Sequence, residues 1–140
     1  MLKLDHYADS KPLLSKAKSI AVVGLSPKEA RPSNMVARYL MEAGYRVYPV
    51  NPGQSSILGL PCYADLVDIP DKIDVVDIFR RSEAVYPIVE AAVQIGAKAV
   101  WMQQGIMHRE AAEFAVRHGL EVFMDRCIMV EHKALFPASR

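Results

Sequence analysis

The sequence is poor in the features that mark specialised classes of protein. Its two cysteines, Cys62 and Cys127, form no CxxC pair and no ligand-spaced cluster, which argues against a disulfide scaffold or a zinc site and for free thiols in a reducing compartment. No run of five like charges occurs, and 17 basic against 16 acidic residues leave a net charge of +1. A nucleic-acid-coating role is thereby disfavoured. No stretch reaches the roughly 18 apolar residues of a membrane span, and charged residues break every apolar run of the opening MLKLDHYADSKPLLSKAK, so no secretory core is expected there. These absences predict a cytoplasmic protein with neither nucleic acid nor membrane as partner.

What is present is an ordinary globular composition, 51% hydrophobic and 24% charged over 140 residues. A chain of this size buries roughly 68–70% of its unfolded surface around one core, so residues 1–140 are expected to form a single domain. Three segments share one order of events: an amphipathic run, a glycine, then a short β-branched stretch. They are VARYLMEAG before YRVYPV, IVEAAVQIG before AKAVWMQ, and AAEFAVRHG before LEVFMD. Gly44, Gly96 and Gly119 thus stand where a left-handed residue closes a helix before a strand begins.

With SIAVVGL and IDVVDIF, five strands are predicted near residues 19–24, 46–50, 74–79, 98–103 and 121–124. They read as near-continuous apolar runs, the pattern of a parallel sheet covered on both faces. The fold class is therefore α/β, a three-layer, doubly wound five-stranded parallel sheet of Rossmann-like type, with the expected order 3-2-1-4-5. Pro49 strains this reading, because a missing N–H inside a strand loses a ladder bond. Pro87 fits the first turn of a helix beginning near Val85, after a short turn over residues 82–84. Ser33 reads as the N-cap of the helix after the first strand, and Ser10 with Pro12 opens a short helix ending near Lys18.

Ligands of open α/β sheets bind beyond the carboxyl ends of the strands, so four loops matter. The first, over residues 25–32, carries Ser26, Lys28 and Arg31 ahead of a helix N-terminus, which favours an anion such as a pyrophosphate. It has Gly24-Leu25-Ser26-Pro27 where a dinucleotide fingerprint has GxGxxG, and the second strand ends in Val50-Asn51-Pro52-Gly53 without the acidic residue that holds a ribose diol. NAD is disfavoured, and a nucleotide with a phosphorylated ribose less so. In the third loop, Arg80 is a candidate for phosphate, for ring stacking or for an ion pair with Asp77. In the fourth, Gly105 permits close backbone approach and Trp101 reads as core. Asp125 with Arg126 reads as a helix cap beside the cleft, with a polar wall of the cleft as the alternative. None of His6, His108, His118 and His132 adjoins a serine or cysteine in a nucleophile motif, and no set of zinc ligands is spaced for coordination.

VGLSPKEARPSN, YPVNP, ILG, DIFRRSE, GAKAVWMQQGI and MDRCIMVEH, in that order over residues 10–136, resemble the small CoA-binding domain proteins. Their fold is similar to the CoA-binding N-terminal domain of the succinyl-CoA synthetase alpha subunit. The resemblance implies that Gly24, Ser26, Arg31 and Ser33 line the phosphates, that Val50, Asn51 and Pro52 meet the adenosine, and that Phe79 and Arg80 border the pantetheine path beside Gln103 and Gly105. It also implies a homodimer. GLSPKEARPSN departs from the TxGxxG-type loop of the synthetase, and no segment reads as the second domain that holds the synthetase's phosphorylated histidine.

The leading expectation is a non-catalytic module that binds coenzyme A or an acyl-CoA. One alternative is a NAD(H)- or nucleotide-responsive sensor acting through a dimer contact. Another is an acyl-transfer enzyme that uses Cys62 or Cys127 as acceptor.

Overall fold

The computed structural model describes residues 8–137. Five parallel strands form the main sheet: β1 (Ser19–Val23), β2 (Arg46–Val50), β5 (Val75–Ile78), β6 (Ala99–Met102) and β7 (Glu121–Phe123), in the order β2-β1-β5-β6-β7. Between β2 and β5 the chain makes a two-stranded hairpin, β3 (Ser56–Ile57) with β4 (Leu60–Pro61), and a 3-10 turn at Leu66–Asp68. The helices are α1 (Lys11–Lys16), α2 (Pro32–Glu42), α3 (Val85–Gln94), α4 (Arg109–Arg117) and α5 (Ile128–Leu135).

Alternation along each strand supplies both faces of the sheet. Ala21, Val23, Val76, Ile78, Val100 and Met102 pack against Val85, Val89 and Ala92 of α3 and Ala111, Ala112 and Ala115 of α4. Ile20, Val22, Val75, Ala99 and Trp101 pack on the other side, where Leu13, Leu14, Val36, Ala37, Leu40 and Ile128 descend from α1, α2 and α5. Burying each valine, leucine, isoleucine or methionine among them contributes about 1.5–3 kcal/mol, and each alanine less. Trp101 is fully buried, as expected, and its ring stacks on Phe123 at 4.6 Å.

Gly44, Gly96 and Gly119 end their helices at φ of 104°, 76° and 85°, as their position before a strand implies. The 3-10 turn Ser82–Ala84 precedes α3, with Pro87 in the helix's first turn.

The strand order corrects the expectation. Counted along the chain, the five long strands run 2-1-3-4-5 and not 3-2-1-4-5. The outer edge of β2 is taken by one residue, Tyr63, in a parallel bridge to Val50. Its N–H donates to the Pro49 carbonyl and its carbonyl accepts from Asn51 N–H. With that edge occupied, residues 75–78 cross β1 and pair on its other side. The same bridge settles Pro49: its carbonyl faces Tyr63, away from β1, so the missing N–H costs no bond between β1 and β2. Strand order reverses at β1, which places the crevice between the ends of β1 and β5.

Candidate functional site

At that reversal the chain turns upward at Gly24, whose φ is 86°. A Cβ there would lie 2.4 Å from the Phe79 carbonyl oxygen and 2.9 Å from Arg80 Cδ. Only glycine lets the ends of β1 and β5 approach this closely. Arg80 therefore lies across the crevice and lines a cavity on each side of it.

The smaller cavity, about 220 Å³, is walled by Val23, Gly24, Val50, Pro52, Asp65 and Leu66 with the first turns of α3. The larger, about 620 Å³, lies between the starts of α2 and α5, among Met35, Phe79, Gln103, Ile106, Cys127 and Met129, with Arg81 and Gln104 also in its wall.

The loop over residues 24–31 is held by side chains from α2. Ser33 Oγ accepts from Ser26 N–H at 2.9 Å, and Asn34 Nδ2 donates to the Ser26 carbonyl at 2.9 Å. Arg38 Nε donates to Asn34 Oδ1 and its terminal nitrogen to the Glu29 carbonyl. Ser26 Oγ in turn accepts from Lys28 N–H.

Ser33 is thus not the N-cap. The helix begins one residue earlier at Pro32, whose fixed φ suits the first helical position, and Arg31 is the capping residue. Asn34 and Met35 amides both return to the Arg31 carbonyl, and Pro32 has none. The Ser33 amide is left as the first-turn donor without a partner among the described residues, beside an exposed Arg31. An anion set against this turn would meet an N–H, the positive end of an 11-residue helix and a guanidinium.

Asn51 is committed on every side. Its Nδ2 donates to the Leu25 carbonyl at 2.9 Å, tying the second loop to the first, and its Oδ1 accepts from Gly53 N–H at 2.8 Å. Val50 and Pro52, not the Asn51 amide, are the residues of this loop that face the smaller cavity.

Asp77 makes no pair with Arg80. It lies fully buried in the middle of β5, on the face of Val75 and Trp101, and neither carboxylate oxygen has a partner among the described residues. Arg80 stands beyond the strand end, exposed. Burial pushes the Asp77 carboxyl well above the usual carboxylate range.

On the fourth loop, Gly105 has φ of 86° and its N–H donates to Asp125 Oδ1 at 2.7 Å. Asp125 is therefore a loop clamp and not a helix cap; Cys127 takes the N-cap of α5. Gly105 itself borders neither cavity just described. Arg126 pairs with Glu131, donates to the Ala8 carbonyl, and lies 4.9 Å from the Phe123 ring centre.

Among the described residues no cluster of three or more metal-ligating side chains occurs, and no helix is long and apolar enough to cross a membrane. His108 accepts from Ala111 N–H at the start of α4, His118 bonds the Phe114 carbonyl, and His132 Nδ1 meets Tyr39 Oη at 2.6 Å. Burial lowers the pKa of His132. His6 lies outside the described residues.

The structure gathers Gly24, Val50, Pro52, Phe79, Arg80 and Gln103 around the crevice, leaves Arg31 exposed at the N-cap of α2 and outside the lining of both cavities, and uses Ser26, Ser33 and Asn51 to brace the loops. Sequence reading missed Asn34 and Arg38, whose spacing on α2 gives no sign that they point back at the loop. It also missed Asp65, Met35 and Met129, whose residue types carry no motif.

An open parallel sheet with its crevice at the strand-order reversal and a braced loop leading into α2 defines the doubly wound α/β class that holds ligands at its strand ends. Within it, residues 18–133 match the CoA binding domain family, to which the chain belongs. Uncharacterized protein YneT of Bacillus subtilis (strain 168) is 40% identical over 125 residues, 89% of this chain and 93% of that protein. A hypothetical protein from Pyrococcus horikoshii OT3 shares the fold at a TM-score of 0.90 and 42% identity, covering 96% of this chain and 97% of that one. An ADP-forming acetate–CoA ligase I of Archaeoglobus fulgidus is 30% identical over 121 residues, which span 79% of this chain and 18% of the ligase. The resemblance read in the sequence is borne out at the level of family and fold.

Proposed function

We propose that this chain binds coenzyme A or an acyl-CoA as a non-catalytic, single-domain cytoplasmic module. The observation that carries the reading is the position of Arg80: pressed over Gly24, it lines both cavities, so one extended ligand crossing the crevice passes its guanidinium. The pyrophosphate sits against the start of α2, met by the Ser33 amide and Arg31. The adenosine enters the smaller cavity against Val50 and Pro52, and the pantetheine arm runs past Phe79 into the larger one. Bound there, coenzyme A supplies a thiol or thioester, and the protein's residues hold and orient it.

The non-catalytic assignment is supported by the histidines. The three described ones are each engaged by a helix turn or by Tyr39, and no hydrogen bond among the described residues joins any of them to Cys62 or Cys127. A homodimer fits this function and is tested by sedimentation.

One observation favours the nucleotide-responsive reading: Asp65 lines the smaller cavity, where a carboxylate accepts from ribose hydroxyls or an adenine amine. Calorimetric titration separates the two. Coenzyme A is expected to bind more tightly than its 3′-dephospho form, and both more tightly than NAD; NAD binding as well as coenzyme A would overturn the assignment.

A further inference from the structure

We infer that the larger cleft is an acyl site: the ligand is the thioester of coenzyme A with an apolar acyl group, and Gln103 is the residue that recognises its carbonyl. The inference rests on the coenzyme A reading and names the ligand class within it.

Gln103 is 4% exposed, and its Oε1 accepts from the Ile128 N–H at 3.2 Å, at the first residue of α5. That bond fixes the orientation of the side-chain amide, because an N–H requires an acceptor. Nε2 is thereby the end turned to the cleft that Gln103 lines, and it has no hydrogen-bond partner among the described residues. Nε2 is not among the side-chain atoms closed off from solvent, so it is a donor open to the cleft, held in place by a side chain that is otherwise buried and free to meet a ligand acceptor.

The rest of the wall decides which acceptor. Met35, Phe79, Ile106, Cys127 and Met129 offer apolar, polarisable surface, and Met35 is left 46% exposed. Thioethers adapt to chains of different shape, and a free thiol, a weak hydrogen-bond acceptor, satisfies neither Nε2 nor the apolar wall. A thioester does both: its oxygen accepts from Nε2 while its alkyl chain covers the methionines. At about 620 Å³ the cleft is nearly three times the cavity of about 220 Å³ across Arg80.

The test compares coenzyme A, hexanoyl-CoA and the thioether S-hexyl-CoA, which keeps the chain and lacks the carbonyl, on the wild-type chain and on Gln103→Glu. Glutamate keeps an oxygen for the Ile128 N–H and removes the donor. Hexanoyl-CoA is expected to bind the wild type at least about tenfold more tightly than coenzyme A, with about fourfold gained per methylene along an acyl series until the cleft fills. It should also exceed S-hexyl-CoA by about tenfold, and that thioester-to-thioether ratio should fall to about one in Gln103→Glu, whatever the variant does to coenzyme A itself. The wild-type comparison of thioester and thioether stands even if the variant does not fold. Equal affinity for coenzyme A and hexanoyl-CoA overturns the acyl site and leaves the coenzyme A reading intact. So does a thioester-to-thioether ratio that Gln103→Glu leaves as it is in the wild type, because Nε2 would then serve a pantetheine amide. Failure of all three ligands to bind removes the coenzyme A reading itself.

Discussion

Gly24 lies directly beneath Arg80, with room for no carbon between its Cα and the Phe79 carbonyl: a Cβ would approach that oxygen to 2.4 Å. The contact joins β1 to β5 where the strand order reverses, so it is both a packing constraint and the floor of the crevice. Gly24→Ala combines this clash with a left-handed φ of 86° and is expected to cost about 3–5 kcal/mol. Gly96→Ala, at φ of 76° with nothing within 4 Å of its Cβ, carries the backbone term alone and should cost about 1–2 kcal/mol. Urea unfolding of the pair isolates the close approach; equal losses would show that the two strand ends give way freely.

Asn51 is expected to matter through the fold before it matters to any ligand. Its amide bridges the Leu25 carbonyl and the Gly53 N–H, so Asn51→Ala should cost about 1–3 kcal/mol. Asn51→Asp sets a carboxylate oxygen against the Leu25 carbonyl and should destabilise more. The aspartate that a dinucleotide site carries at this place is thus not expected to convert the chain to NAD binding. A stable Asn51→Asp variant that gains NAD affinity would reverse this view of the loop.

The alternation of helix, glycine and apolar strand was legible because each step is local: Gly44, Gly96 and Gly119 close helices that the adjoining side chains already form. The position of β5 was not, because it depends on Tyr63, a one-residue bridge with no periodicity to detect. The site loops were legible for a similar reason, since they follow strand ends. The duties of individual residues within them were not. Ser33, Asn34 and Asn51 bond partners seven, eight and 26 residues away, and a spacing motif cannot tell a hydroxyl that meets a ligand from one that braces a loop.

Phosphate recognition separates the basic residues. Arg31 stands beside the Ser33 amide at the start of α2, and Arg80 lines both cavities, whereas the Lys28 side chain is exposed and lines neither. Arg31→Ala and Arg80→Ala should each weaken coenzyme A binding by about tenfold to a hundredfold. Lys28→Ala should change it by less than about threefold, an effect that fades with added salt. Titrations at two salt concentrations check this, and unchanged affinity in all three variants would place the phosphates elsewhere.

Arg126 is a tie between the start of α5 and Ala8, and through Glu131 to Ser10. It pairs with Glu131, which also accepts from Ser10 Oγ at 2.8 Å, and it lies beside Phe123 and Trp101. Arg126→Ala leaves Glu131 without its cation and is expected to cost about 3 kcal/mol. Arg126→Ala with Glu131→Gln should recover part of that loss, and additive losses in thermal unfolding would show that the pair is not coupled.

Asp77 gives the fold an unusual pH dependence. Burial raises its pKa well above the ordinary value, with no cation or donor among the described residues to oppose it. The folded chain therefore keeps a proton that the unfolded chain releases near about pH 4. Above that pH the native state is penalised progressively, by up to about 1.4 kcal/mol per pH unit, until Asp77 itself ionises. Asp77→Asn keeps the shape and removes the titration, so its stability relative to the wild type should be near zero at about pH 4 and rise steadily toward neutrality. His132, whose pKa is lowered by burial, acts in the other sense: its stability is present at neutral pH and lost as the unfolded imidazole takes up a proton. That contribution is common to both proteins and cancels in the difference. Parallel stability curves for the two proteins between about pH 4 and pH 8 would mean that Asp77 ionises at its ordinary pKa.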